Sequence, residues 1–482
     1  MAPLASFVFP MASGHTNPAL PLARRLVNLG WDVRFVSFPA FREAVEDTGA
    51  LFVDGHAFND PSTSEFVELH GFDSRLSLVV AMCSAIRLER AAEKLLGYFR
   101  ETRPELVVYC PHLSAYAHLV ARHLGIRSVS LLTLPGPGSM EKIAETCGLS
   151  SAEVCSLLAQ NPPQLEALAC LKTKLELPDL SLNTVPPLHR DHYSQLNLVT
   201  TTEVLADDWK EDAALYAAEG KTFAFVGPLI DIPGAKRCAG HSNQKEATEA
   251  SETLPKRLPK LHRVCSAVDE VFPQEALEEA VAAGRQLVLV SLGTVITGDS
   301  GNHGWLARDG SAITGKEMCQ SVFRAVFQAL GQQTDEGPLL LVAVGPQEDA
   351  LEGIDVPLNS ICRNVLPQVD ILRQKPVVFV THGGQNSFME SMLVGTPLVV
   401  CPGFADQPAN GAKAQAMQVG LCVDRPDKEE EVASYQTRVA EALQQVLEIP
   451  SFRDSAERVA EGLHAAGGVD RAMQLLIGNE QN

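Results

Sequence analysis

Residues 377–407 constrain this chain's fold more tightly than any other stretch. Val377, Val378, Phe379 and Val380 form an apolar run, Gly383 and Gly384 follow at once, and Phe388, Met389, Met392 and Leu393 then recur at helical spacing. A continuous apolar run, a glycine turn and a period near 3.6 read as strand, turn and helix. A second strand-like run, Leu398–Cys401, leads to Asp406 and Gln407. The pattern is that of a βαβ unit with its polar residues gathered at one end. Asn386 and Ser387 are residue types that suit a helix start, where side-chain oxygens cap unpaired amides.

That end has a specific chemistry. Free amides and the helix dipole give a helix start partial positive character, which suits a phosphate. Gly383 and Gly384 allow close backbone approach, and His382, Asn386 and Ser387 add hydrogen-bond donors. Glu390, one turn further on, is an acceptor pair for vicinal ribose hydroxyls, and Asp406 and Gln407 stand where a sugar's hydroxyls need partners. The ligand this predicts is a nucleoside diphosphate carrying a sugar.

These positions resemble the nucleotide-sugar signature of the family 1 glycosyltransferases, the UDP-glycosyltransferase superfamily, whose pattern includes H-x-G-x-N-S-x-x-E and ends in D/E-Q. His382, Gly384, Asn386, Ser387, Glu390, Asp406 and Gln407 carry the match. The resemblance implies two Rossmann-like α/β domains facing across a cleft, the GT-B arrangement. It implies a first domain over 1–230 that holds the acceptor and a polar linker or insertion over 231–272. A nucleotide-sugar domain over 273–450 and a C-terminal helix over 451–482 that returns to the first domain complete the expected layout.

The start of the chain fits this layout. Residues 5–10 read as a buried strand, a loop and an amphipathic helix carrying Leu20, Leu22, Leu26 and Leu29 follow, Gly30 stops the helix, and Val33–Phe38 is the next strand. Gly14, His15, Thr16, Asn17 and Pro18 lie at the carboxyl end of the first strand, where open α/β sheets bind ligands. Many family members carry G-H-x-N-P here with the histidine as catalytic base, which makes His15 the candidate. The family places an aspartate after the strand corresponding to Leu106–Cys110; this chain has Cys110 there, with His112 two residues on, as possible orienting groups. A thiol holds an imidazole less well than a carboxylate does.

In the second half, strand Leu287–Ser291 precedes Gly293 and Thr294, which resemble the turn that reaches the donor phosphates. Val365, Leu366, Pro367 and Gln368 match the family's W-x-P-Q, with Val365 where an aromatic ring stacks on the base and Gln368 available to ribose or base. Residues 296–316 hold five glycines and Trp305 and read as an insertion or a lid near the sugar. The helical pattern over 74–100 reads as core or as a wall of the acceptor pocket. His189, Asp191 and His192 have a spacing that suits no helix face, so a metal site is not expected there.

Composition excludes other classes. A net charge of −20 argues against a nucleic-acid groove or an anionic membrane surface as partner. No run approaches the ~20 apolar residues of a membrane span. The N-terminus lacks a signal-peptide layout, and eleven scattered cysteines without C-x-x-C read as reduced thiols of a cytoplasmic protein. D-x-D, the usual carboxylate pair for a diphosphate-bound metal, is absent. The resemblance therefore implies an inverting, metal-independent transfer with no resident cofactor, from a UDP- or dTDP-sugar to a hydroxyl of a small lipophilic acceptor. A sugar-nucleotide 2-epimerase on the same fold and a catalytically weakened nucleotide-sugar-binding homologue are the alternatives.

Overall fold

A computed structural model describes residues 2–58, 79, 82–238, 272–299, 303–334 and 336–478. Parts of the helical pattern over 74–100 and of the linker over 231–272 lie outside the described residues. In the first domain the strands are β1 (Leu4–Val8), β2 (Asp32–Ser37), β3 (Leu51–Asp54), β4 (Leu106–Tyr109), β5 (Arg127–Leu132), β6 (Leu196–Val199) and β7 (Thr222–Phe225). In the second they are β8 (Leu287–Ser291), β9 (Leu339–Ala343), β10 (Ser360–Arg363), β11 (Val378–Thr381), β12 (Leu398–Val400) and β13 (Gly420–Cys422).

The strand orders are β3-β2-β1-β4-β5-β6-β7 and β10-β9-β8-β11-β12-β13. Neighbours pair in parallel throughout, β1 on β4 with Phe7 opposite Val108 and β8 on β11 with Val290 opposite Val380. Parallel strands are covered on both faces, so they read as continuous apolar runs rather than alternating ones. Two layers of buried side chains flank each sheet accordingly. Both sheets reverse direction of growth at one point, between β1 and β4 and between β8 and β11. At such a switch point the crossovers leave in opposite directions and open a crevice at the carboxyl ends. His15 and Cys110 follow β1 and β4; Thr294 and His382 follow β8 and β11.

The first long helix spans Leu20–Asn28 and buries Leu20, Leu22 and Leu26, while Leu29 lies past its end and is exposed. Gly30 takes φ +84°, the left-handed conformation that ends a helix without a Cβ penalty. The chain's last two described helices, Ser451–Ala465 and Gly468–Ile477, break at Gly467. Ala472, Met473 and Leu476 of the second helix pack into the first domain's core, and Arg127 donates to the carbonyls of Leu475 and Leu476.

Of the stretch 296–316, read from the sequence as an insertion or a lid, the described residues 296–299 and 303–316 include core positions of the second domain, which speaks against a lid. Trp305 and Ile313 are buried in the second domain's core, and the Trp305 indole donates to Asp349 at 3.0 Å. Arg425 donates to the carbonyls of Ala307 and Ile313. The glycines lent the stretch the composition of a lid; an aromatic anchor and an arginine hold its path. None of the described helices is long and apolar enough to cross a membrane.

Candidate active site

The turn after β11 is built around one imidazole. A Cβ on Gly293 or on Gly384 would come within 2.5 Å of His382 Nε2, so the ring is seated between two positions that only glycine can fill. Gly293 also needs φ +79°. Burial pushes His382 down to about 4, which keeps it neutral.

The helix Gln385–Leu393 starts at Gly384, which has no side chain to cap it. The cap comes from another loop: Asp406 Oδ2 accepts from the Gln385 amide at 2.9 Å and from Asn410 Nδ2 at 3.0 Å. Gln407 Oε1 accepts from the amides of Gly403 and Phe404 at 2.8 and 3.2 Å. The sequence motif assigns Asp406 and Gln407 to a sugar. The structure also uses their oxygens to build the turn, because β12 lies beside β11 and brings its loop against the uncapped helix. Burial raises Asp406 to about 6.

Asn386 and Ser387 do not cap the helix either. Asn386 Nδ2 reaches across the cleft to the Gly14 carbonyl at 2.7 Å, and Ser387 Oγ accepts from Gln368 Nε2 at 3.2 Å. Their own amides have no acceptor among the described residues, which leaves two N–H groups at the helix start for an anion. Thr294 Oγ1 lies 3.4 Å from Ser13 Oγ of the opposite domain. Both sides of the candidate diphosphate site therefore already touch the loop that carries His15.

His15 Nδ1 lies 2.9 Å from Thr133 Oγ1 and 3.2 Å from Cys110 Sγ. Thr133, which follows β5, escaped the sequence reading. The visible signal was a polar residue directly after an apolar strand whose neighbour in the sheet is β4. With the proton on Nδ1, given to Thr133 or to the sulfur, Nε2 keeps the lone pair a base needs. Burial and the Arg87 cation push His15 down to about 4, and burial pushes the Cys110 thiol up to about 12. Arg87 donates to the Leu113 carbonyl at 2.7 Å. Thr133→Val removes the closer partner of Nδ1 and is expected to lower kcat by about 2- to 10-fold, the worth of one neutral hydrogen bond. Nucleotide affinity, read by calorimetry, should stay unchanged.

His112 does not orient His15, contrary to the sequence expectation. Its ring centroid is 6.1 Å from that of His15, and its Nδ1 faces His189 Nδ1 at 3.1 Å. His189 Nε2 lies 3.1 Å from the Met82 carbonyl, which can only accept, so His189 is protonated there and His112 donates from Nδ1. His192 stacks on His189 at 4.1 Å and bonds the Pro111 carbonyl through Nδ1 and Asn183 through Nε2. Asp191 accepts from Ser181 and Leu182. The cluster is a packed hydrogen-bond chain that closes the loop ends under His15.

A narrow cleft runs between the domains, lined by Pro18, Thr200, Pro228, Arg237, Asn386, Met389 and Glu390 among others. Glu390 is nearly fully buried: Oε1 pairs with Arg237 Nη2 at 2.5 Å, and Oε2 accepts from Gln368 Nε2 at 2.7 Å. Val365 is 59% exposed, an open apolar surface where the family pattern has an aromatic ring.

Two doubly wound parallel sheets, with a histidine at one switch point and a glycine-seated helix start at the other, define the GT-B fold. Solved structures share the fold. The glycotransferase of kitacinnamycin aligns over 98% of both chains with a TM-score of 0.62 and 22% identity. Glycosyltransferase VinC in complex with DTDP aligns over 98% of both chains at 0.59 and 17%. Residues 352–472 match the family model described as UDP-glucoronosyl and UDP-glucosyl transferase. The NDP-glycosyltransferase YjiC of Bacillus licheniformis is 23% identical over 469 residues, which is 97% of this chain and 95% of that protein. These similarities support a family 1 glycosyltransferase.

Proposed function

We propose that this enzyme moves a sugar, with inversion and without a metal, from a UDP- or dTDP-sugar to a hydroxyl of a small lipophilic acceptor. One observation carries the reading: the loop bearing His15 and the helix start bearing Asn386 meet across one cleft, 2.7 Å apart at Asn386 Nδ2 and the Gly14 carbonyl. A base and a diphosphate site stand on opposite sides of the space where an anomeric carbon belongs.

In this mechanism the acceptor hydroxyl gives its proton to His15 Nε2 as its oxygen bonds the anomeric carbon from one face. The bond from that carbon to the diphosphate breaks on the other face, with its electron pair going to the phosphate oxygen. The free amides of Asn386 and Ser387, with Thr294 and His382, receive the developing charge; preorganised donors of this kind often supply a large part of the rate. Glu390 and Gln368 would take the ribose, and Gln407 Nε2, which has no partner among the described residues, is the group left for the sugar. VinC's complex with DTDP supports a dTDP-sugar as well as a UDP-sugar.

The test is a screen of UDP- and dTDP-sugars against phenols, macrolides and sterols, read by product mass with and without EDTA. Product should form, and EDTA should leave its rate unchanged, since the chain offers no D-x-D. A strict requirement for magnesium or manganese would defeat the metal-independent reading, and an epimer formed from UDP-N-acetylglucosamine alone would favour an isomerase. The neutral Cys110 thiol and the Arg87 cation beside His15 support a second reading, a homologue with weakened chemistry. Such a protein would bind UDP yet release none from a UDP-sugar.

A further inference from the structure

A departing nucleoside diphosphate gathers negative charge, and this chain already carries −20. The groups placed to receive it are neutral: Thr294, Asn386, Ser387, and His382, which burial keeps unprotonated. Among the described residues lining the cleft, a single cation is present, Arg237.

Arg237 is held there by built contacts rather than by chance. The next residue, Cys238, is clamped on the His15 loop through both backbone groups: its amide donates to Asn17 Oδ1 at 2.8 Å, and its carbonyl accepts from Asn17 Nδ2 at 3.2 Å. Upstream, Asp231 pairs with Arg24 of the first domain at 3.0 Å, and its carbonyl accepts from Arg373 of the second at 2.7 Å. The guanidinium then rests on Glu390, whose side chain is 4% exposed.

That carboxylate is the ribose partner in the function proposed above, on which this inference rests. Ribose hydroxyls and the guanidinium are both donors, and Oε2 is already taken by Gln368. A nucleotide whose ribose takes Oε1 therefore competes there with Arg237 for the same carboxylate oxygen. Asn386, at the helix start, stands four residues before Glu390, so the two side chains neighbour each other on one helix face, about 5–6 Å apart at Cβ. We propose that Arg237 is a diphosphate-binding residue, parked on Glu390 in the empty enzyme and transferred to the diphosphate when ribose claims that carboxylate. The exchange leaves the buried Glu390 carboxylate and the Arg237 cation each with a partner, and a guanidinium suits phosphate oxygens through paired donors. During transfer it stabilises the oxygen that receives the electron pair of the broken sugar bond.

The experiment compares UDP with uridine, and dTDP with thymidine, on wild type and R237Q, by calorimetry for the diphosphates and ligand-observed NMR for the nucleosides. R237Q should bind the diphosphate about 10- to 100-fold more weakly and the nucleoside as well or better, because a competitor for Glu390 is gone. R237K should keep most of the diphosphate affinity and serves as the folding control. Equal loss for diphosphate and nucleoside, or tighter diphosphate binding, would reduce Arg237 to a latch or a plug and overturn the proposal. If wild type binds neither UDP nor dTDP, the proposed function itself fails, and this inference with it.

Discussion

His15→Ala should lower turnover by about 10²–10⁴-fold, the usual worth of a general base, while UDP affinity stays within about two-fold. The two effects separate because His15 belongs to the first domain, whereas the free amides at Asn386 and Ser387 belong to the second. The pH profile gives a second reading of the same group. A base must be unprotonated, and burial with the Arg87 cation holds His15 down to about 4. Its deprotonated fraction therefore climbs as pH rises through about 4 and is complete by neutrality. In wild type kcat/KM, read from initial rates after brief pH jumps so that turnover precedes unfolding, should rise across that interval and level off above about pH 5; in His15→Ala this limb should vanish. Turnover unchanged by the substitution would remove His15 from the chemistry. Cys110→Asp adds a test of its environment: a carboxylate beside Nδ1 stabilises imidazolium where the neutral thiol does not, so the limb should move to higher pH.

Folding stability should fall steeply on acidification from about pH 6.5 to pH 5. Burial holds His15, His192 and His382 down to about 4 and His118 to about 3, and drives His112 and His189 well below the ordinary value. Unfolded, each takes up a proton near pH 6.5. Between the folded and unfolded values the unfolded chain binds more protons, so stability rises with pH through that window and drains away as pH falls. A tenfold difference in proton affinity between the two states is worth about 1.4 kcal/mol, so His15 and His382, each held to about 4, cost on the order of 2 kcal/mol apiece by pH 5, and the other four add to the loss in the same direction. Asp406, raised to about 6, and Glu141, raised to about 7, oppose this, since burial makes them hold protons in the fold, but they are two groups against six. Urea unfolding at pH 5, 6 and 7.5 measures the slope; equal midpoints at all three would contradict the histidine account.

Much of the architecture was readable because its signals are local. Continuous apolar runs marked the buried parallel strands, a 3.6 period marked Leu20–Asn28, and paired glycines marked the turn that seats His382. The same locality placed His15 and Cys110 at the ends of two strands of the first half, and their separation of 3.2 Å is a contact between loops 95 residues apart. Where a residue's partner lies on a loop of unknown neighbourhood, that reading failed. Asn386 and Ser387 have the chemistry of helix caps, yet Asp406 caps the helix and Asn386 crosses the cleft to Gly14. His112 sits two residues from Cys110 but turns to His189. The stretch around Trp305 has a lid's composition and a core residue's burial.

By itself, the order of residues determined which segments become strands and helices and which strand ends carry chemistry, since periodicity, glycine turns and charge act over a few residues. Only the tertiary structure decided how those ends serve one another: Thr133 against His15, Asp406 under the donor helix, Arg237 on Glu390. Those pairings depend on which strands lie side by side and on how two domains meet, and hydrogen bonds and ion pairs form only between groups that the whole fold has brought within about 3 Å.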